Sequence, residues 1–335
     1  MPDLGKIDRE FFDSVIYPNL GADRDDVVVG PRHGVDFGVL DLDGTAVVTA
    51  TDPISILPQL GFERAGRFAL DVVLADVAVS GIPPSHLSIS LTLPPEMTDR
   101  GLAEMWVGIS DHARELGVSI VSGHTARYAG VDYSWVGGAT VLGVGQPEDV
   151  IRPDGAKPGD GIIVTTGPGA EVAGLFSVLF PEQLGLSEST LATASERLDE
   201  FGVVRDAQAA VEAGTVTAMH DATEGGLLGA LDEMARGAGV RFDVDRESAP
   251  VAPGVGPVTD AVDVDPWAVT STGTLVLTVD SEDADAVLDA LRSRDTRAAV
   301  VGTVSSGDGV FLDGERRSPP NADPAWDVFA RLSEQ

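Results

Sequence analysis

The chain has 335 residues, 43% of them hydrophobic, and its 54 acidic against 22 basic side chains leave a formal net charge of −32 with no cysteine anywhere. That length and apolar content suit two globular domains with real cores, and the missing thiols exclude disulfides, cysteine nucleophiles and Cys-ligated zinc or iron–sulfur centres. The acidic excess argues against nucleic-acid binding, and its dispersal between apolar segments, with only Lys6 and Lys157 as lysines, predicts a halophilic, salt-adapted surface rather than a disordered acidic tail.

The opening Met1-Pro2-Asp3-Leu4 lacks the basic start and apolar core of a signal peptide. No uncharged apolar stretch reaches membrane-spanning length, since Asp71 and Asp76 interrupt 68–79. A cytoplasmic protein with no membrane contact is the expectation. Gly30-Pro-Arg-His-Gly-Val-Asp36 sets His33 and Asp36 beside Gly30 and Gly34. A strand is expected over 45–51, followed at once by Asp52, and a helix over 65–80. Within that helix Asp76 sits among Val73, Leu74, Val77 and Val79, where an ionised carboxylate is costly without a cation or donors. Residues 87–93 alternate as a strand, and 99–116 carry Leu102, Met105, Trp106, Ile109 and Ala113 on one helical face. Strands are expected near 118–121 and 135–144, with Gly123, His124 and Thr125 just after the first of them.

Pro147, Pro153 and Pro158 interrupt the pattern between 145 and 159, predicting a domain boundary that divides the chain into 1–148 and 149–335. The second half continues with a strand at 161–166, helices at 172–179 and 206–213, and a strand at 215–218. Next come a helix from Leu228, a strand at 273–279, a helix capped by Ser281 and ending at Arg292, and a strand at 298–304. A closing hairpin turns at Asp313-Gly314. Both halves alternate strand and helix, so the expected fold class is α/β: two layered domains, each with a mixed sheet.

The run Met219-His-Asp-Ala-Thr-Glu-Gly-Gly-Leu227 joins a strand to a helix. Asp221, Thr223, Gly225 and Gly226 there suit an anion, because backbone N–H groups at a helix start face the ligand and glycines let it approach. The competing reading is an ordinary cap made by Asp221 or Thr223. Asp36, Asp52, Asp76 and Asp221 together would suit a Mg2+–nucleotide site, since Mg2+ takes hard oxygen ligands, usually one or two carboxylates plus phosphate oxygens. Neither lysine lies in a Walker A context, and Gly167–Gly174 misses the dinucleotide fingerprint by one residue. Gly-x-Ser-x-Gly and His-Glu-x-x-His are absent. His33, His124 and His220 are the histidines beside candidate elements.

Thr51-Asp52-Pro53, Ala75-Asp-Val-Ala-Val-Ser-Gly81, Gly123-His124-Thr125 and His220-Asp-Ala-Thr-Glu-Gly-Gly226, in this order, resemble the aminoimidazole ribonucleotide synthetase (PurM-like) superfamily, in particular its HypE branch. The resemblance spans nearly the whole chain. It implies an α+β N-terminal and an α/β C-terminal domain with ATP and Mg2+ or K+ between them, and a homodimer whose N-terminal sheets join into a barrel. It implies Asp52, Asp76 and Asp221 as metal ligands, with Asp76, Asp221 and His124 at the chemistry. Gly30, His33, Gly34 and Asp36 would order a segment over the phosphates, and Gly123, Thr125, Thr223, Gly225 and Gly226 would offer contacts to them. The implied activity phosphorylates an amide-type or related oxygen of a small molecule. A small-molecule kinase of the thiamine-monophosphate kinase type and a non-catalytic metalloenzyme-maturation partner are the alternatives. The chain departs from the branch pattern: Ala75 replaces Asn, His124 replaces Asp and Glu224 replaces Arg. It ends Arg331-Leu-Ser-Glu-Gln335 without the terminal cysteine on which HypE chemistry depends.

Overall fold

The computed structural model describes Ile7 and residues 9–334. Met1-Pro2-Asp3-Leu4, Lys6 and the terminal Gln335 lie outside the described residues. The chain forms two compact units: one comprises 25–30 and 36–150, the other the residues up to Arg24, Pro31–Val35 and everything from Ile151.

The first unit is built on a six-stranded sheet of β1 (Val27–Val29), β2 (Gly38–Asp41), β3 (Ala46–Ser55), β4 (Pro84–Leu93), β5 (Ser119–Arg127) and β6 (Trp135–Gly145), in the order β1-β2-β3-β6-β4-β5. Neighbours are antiparallel except β4 and β5. Helices α1 (Phe62–Ala78) and α2 (Asp99–Glu115) pack together, with α1 against β3 and β6. Ala46, Val48, Ala50 and Ile54 of β3 are buried while Val47, Thr49 and Thr51 turn outward, the period-2 pattern of a sheet covered on one face. The helices approach closely because glycine faces backbone: a Cβ on Gly108 would stand 2.1 Å from the Glu63 carbonyl oxygen, and one on Gly66 2.4 Å from that of Met105.

The other unit holds a seven-stranded sheet of β7 (Gly161–Thr165), β8 (Val216–Asp221), β9 (Arg241–Val244), β10 (Leu275–Val279), β11 (Ala298–Ser305), β12 (Gly309–Leu312) and β13 (Glu315–Arg317), in the order β13-β12-β9-β11-β7-β10-β8. Only β9 and β12 run parallel. β7 and β10 are buried at every position, which explains their unbroken apolar sequences. One core lies under α6 (Gly226–Ala238), where Leu227, Leu231, Met234, Phe242 and Val276 meet. A second gathers α3 (Ala170–Leu179), α4 (Glu188–Ser195), α7 (Val255–Val262) and the C-terminal α9 (Pro324–Ser333) around Phe176, Phe180, Val258 and Val328. Helices α5 (Val203–Ala213) and α8 (Ala284–Arg292) pack against each other.

The mixed sheets and the Asp313-Gly314 hairpin are as expected; both turn residues have positive φ, 54° and 80°. Two local expectations are corrected. Ser281 does not cap α8, whose N-cap is Asp283. Asp283 directs its carboxylate away, to the Thr215 amide. His124 does not follow a strand; it lies inside β5, which runs on to Arg127 because its register with β4 continues past Gly123.

One buried carboxyl in this unit makes a prediction of its own. Asp206, in the first turn of α5, is 3% exposed, and burial pushes its pKa up to about 6 against donation from Thr296 and the nearby Arg294 guanidinium. An acid held above its unfolded value binds its proton more tightly in the fold. Its contribution is therefore fully favourable below about pH 4 and is lost as pH rises to about 6. The cost above that window is on the order of 3 kcal/mol. In denaturant titrations Asp206→Asn is expected to exceed the parent in stability at pH 8 and to lose that advantage at pH 4.

Candidate functional site

Three segments meet at one end of the seven-stranded sheet. β8 ends on Asp221 and runs through Ala222-Thr-Glu-Gly-Gly226 into α6. β7 ends on Thr165 and turns through Thr166-Gly-Pro-Gly169 into α3. The third segment, 269–274, leads into β10, which pairs with both strands. It laces the turns together. Ala222 donates its amide to the Thr274 carbonyl, and Ser271 donates its own to the carbonyl of Ala222. Gly169 N–H donates to Ser271 Oγ, and Thr274 Oγ1 donates to the Gly167 carbonyl. Thr166, a β-branched residue at φ 58°, is held in that costly conformation while its hydroxyl donates to the Gly273 carbonyl.

Asp221 is the most enclosed carboxylate at these turns, 1% exposed, and its Oδ1 has no hydrogen-bond partner. His220 Nδ1 stands 3.7 Å from it. That nitrogen is committed elsewhere: it donates to the Asp221 carbonyl oxygen at 2.7 Å, an acceptor only, which fixes the proton on Nδ1. His220 Nε2 lies 3.1 Å from Glu233 Oε2 on α6. A Cβ on Gly34 would stand 3.3 Å from Glu233 Cβ, so the Pro31–Val35 strap of this unit lies beside that glutamate. His33 on the same strap bonds Asp13 at 2.9 Å and meets the rings of Phe12 and Tyr17 edge-on.

The simple capping reading of the 221–226 turn does not hold. The N-cap of α6 is Gly225, left-handed at φ 82° and without a side-chain cap, and Gly226 follows at φ 65°. A Cβ at Gly226 would lie 2.5 Å from the Val269 carbonyl oxygen, so this position requires glycine twice over. Asp221 is thus held at the turn without serving as the helix cap.

Two further carboxyls escaped sequence reasoning. Glu171 on α3 accepts from the Thr270 hydroxyl at 2.6 Å and the Thr272 amide at 2.9 Å, and burial raises its pKa. Asp323, at the start of α9, accepts from the amides of Ala325 at 2.8 Å and Gly225 at 3.0 Å. Its pKa is also raised, first by burial and also by Glu224. Asp323 sits outside any motif, and Glu171 lies in the Gly167–Gly174 stretch set aside for its spacing; an acid at the start of a helix was the only available signal.

The remaining sequence-predicted residues lie in the six-stranded unit. Gly30 follows β1 and Asp36 precedes β2. Asp52 is half-buried on β3 with the parity of Ala50 and Ile54, the helix-covered face, and Asp76 is buried on α1. Across the sheet, Asp52, Ala139, Ile89 and Gly123 form one lateral row. Gly123 is therefore three strand spacings from Asp52, about 14 Å. His124 points to the opposite face by the pleat, exposed and bonded to the Tyr128 hydroxyl at 3.1 Å, and Thr125 is exposed on the same edge strand.

Family models for the N-terminal and C-terminal domains of AIR synthase related proteins match residues 34–144 and 157–315. The chain belongs to the AIR synthase-related family. Among its relatives is the carbamoyl dehydratase HypE of Rhizobium leguminosarum, 30% identical over 84% of this chain and 80% of that protein. A putative hydrogenase expression/formation protein of Methanocaldococcus jannaschii is 27% identical over 86% and 84%. A selenide, water dikinase of a Geobacter species is 31% identical over 74% and 70%. The crystal structure of HypE in complex with ATP superposes with a TM-score of 0.69 at 25% identity, covering 85% of this chain and 88% of that one. Thiamine-monophosphate kinase of Aquifex aeolicus, with a TM-score of 0.67 at 20% identity over 85% and 93%, shows the shared fold. The two-domain mixed α/β fold is thus that of the PurM-like enzymes. Among the described residues no helix is long and apolar enough to cross a membrane.

Proposed function

We propose that this chain binds ATP with Mg2+ and transfers a phosphoryl group to an amide-type or related oxygen of a small molecule. The observation that carries the reading is Asp221 Oδ1: a carboxylate oxygen sealed from water without a hydrogen-bond donor is costly unless a cation compensates it. The chemistry of that donor fits a hard divalent ion. Asp52 and Asp76, both in the six-stranded unit, are further carboxylates we propose as metal ligands. His124, exposed on the far face of its sheet, is outside that set. Bound Mg2+ would supply charge neutralisation at the phosphates, the main requirement of phosphoryl transfer beside positioning.

The protein's own part follows from its turns. The 269–274 segment fixes the β7–α3 and β8–α6 turns by side-chain and main-chain bonds, so little reorganisation is left for the moment of reaction. Glu171, whose pKa burial raises, anchors the 269–274 segment through the Thr270 hydroxyl and the Thr272 amide. The relatives include an enzyme named as a carbamoyl dehydratase and one named as a selenide, water dikinase, and a HypE structure holds ATP. None of the 335 residues is a cysteine, so none of them offers a thiol to carry the substrate, and we assign the acceptor to a separate small molecule or a partner's group. A role beside a metalloenzyme-maturation partner is compatible with the hydrogenase-related relatives. We assign the chain to a salt-rich cytoplasm and to a homodimer. Support for the latter is the exposed edge strand β5, where Val121 is 57% exposed, together with Trp135, 54% exposed on β6 of the same sheet.

Titration calorimetry with ATP in high salt tests the reading. Binding is expected with Mg2+ present, to weaken when the metal is chelated, and to weaken about tenfold or more in Asp76→Ala. An absence of heat with wild-type protein, or Asp76→Ala binding like wild type, defeats it.

A further inference from the structure

Asp323 sits 98 residues along the chain from the glycine turn it touches, yet its carboxylate is bonded at that turn. Oδ2 accepts the Gly225 amide at 3.0 Å and Oδ1 accepts the Ala325 amide at 2.8 Å. One side chain, 5% exposed, therefore ties two segments: the β8–α6 turn and the C-terminal helix α9. Gly226 N–H is separately bonded to the Thr223 carbonyl at 2.9 Å. The two glycine amides at this turn are thus engaged within the protein, and they define its shape rather than stand ready as donors.

The helix that carries Asp323 is docked well enough to act as an anchor. Ala325, Val328 and Leu332 are buried in the core shared with α3 and α7; Phe329 meets the Phe180 ring edge-on, and the Arg331 guanidinium donates to the Val262 carbonyl. In the neighbouring lacing segment, the Thr270 hydroxyl is held by Glu171. Glu224 and Asp323 are the charged groups whose fields reach Asp323 and Glu171 respectively across this cluster, and neither is a cation that would replace the amides as partner.

We propose that Asp323 is a positioning residue for the nucleotide site: through the Gly225 amide it holds the 221–226 turn in its working shape and so couples docking of the C-terminal helix to nucleotide binding. The inference rests on the functional reading above, and it assigns the C-terminal segment a role that none of the catalytic-candidate residues has. Loss of the carboxylate frees the Gly225 amide and lets the two left-handed glycines relax, which displaces Asp221 with them.

The test combines hydrogen exchange with nucleotide binding in the full-length protein at high salt. Asp323→Ala is expected to speed exchange in a peptide spanning 219–232 and to weaken binding of a non-hydrolysable ATP analogue with Mg2+ by roughly 10- to 100-fold, the scale of a charge-assisted bond. Asp323→Asn, which keeps an acceptor oxygen, should recover part of both. Asp327→Ala, on the exposed side of the same helix, should change neither, which separates the clamp from general loosening of α9. Unchanged exchange in Asp323→Ala overturns the clamp whatever the nucleotide does. Faster exchange with unchanged affinity overturns the coupling. If wild type itself fails to bind the analogue, the functional reading falls and takes the coupling with it, while the exchange result still decides whether Asp323 holds the turn.

Discussion

Transfer from about 1 M to about 0.01 M salt is expected to unfold this protein, because the Debye length grows from about 3 to about 30 Å over that range. The 22 basic residues cannot neutralise the 54 acidic ones even if every one is paired. Many are already spent in short-range pairs: Arg67 with Glu115, Arg114 with Asp111, Arg127 with Asp99, Arg246 with Asp265, Arg297 with Glu200 and Arg316 with Asp308. Most of these are exposed and worth at most about 1 kcal/mol each, too little to offset long-range repulsion once screening is withdrawn. The measurement is thermal melting followed by circular dichroism across the salt series. A melting temperature lower by on the order of 10 °C or more is expected before structure is lost outright. A melting curve indifferent to salt would show that the surface charge is not an adaptation to it.

The second large effect is expected at Asp221, and it runs in opposite directions with and without ligand. In the ligand-free protein the unpartnered Oδ1 is a buried polar atom carrying its desolvation penalty, about 1–3 kcal/mol. Asp221→Asn removes charge at nearly constant volume, so the apo variant should melt at or above the parent temperature. Addition of ATP and Mg2+ should raise the melting temperature of the parent, as any ligand specific for the folded state does, and leave the variant unmoved. If the variant is destabilised without ligand yet retains the shift, Asp221 is a structural residue and the metal assignment at it is wrong. The comparison is informative because fold and function respond with different signs, so a merely misfolded variant cannot imitate the expected pattern.

How far the site could be read beforehand differs from residue to residue. Asp221 and the two glycines after it were legible because strand, acid, double glycine and helix follow one another locally, and a local geometry can be read from local spacing. Asp76 was legible for a similar reason: an acid inside an apolar helical stripe is conspicuous, and it is indeed buried. Asp323 and Glu171 were not, because what makes them notable is a bond to residues about a hundred positions away. His124 shows the converse failure. Its place between glycine and threonine suggested a loop, but the backbone around it continues its ladder with β4, and a ladder depends on a partner strand that composition does not name. The short strands β1, β2 and β9 and the eight-residue helices α4 and α7 carry too few residues to show a period on their own.

By itself, the chain's composition determined the acidic surface, the absence of thiol chemistry and the alternation of strands and helices in two halves, all properties that add up residue by residue. Family motifs written in contiguous residues were equally available. Only the tertiary structure decided which acids are enclosed, that Asp221 lacks a donor, that Gly225 is held by a carboxylate from the C-terminal helix, and which face of its sheet His124 occupies. Those are consequences of desolvation and strand pairing, which arise between distant segments and exist only once the segments have met.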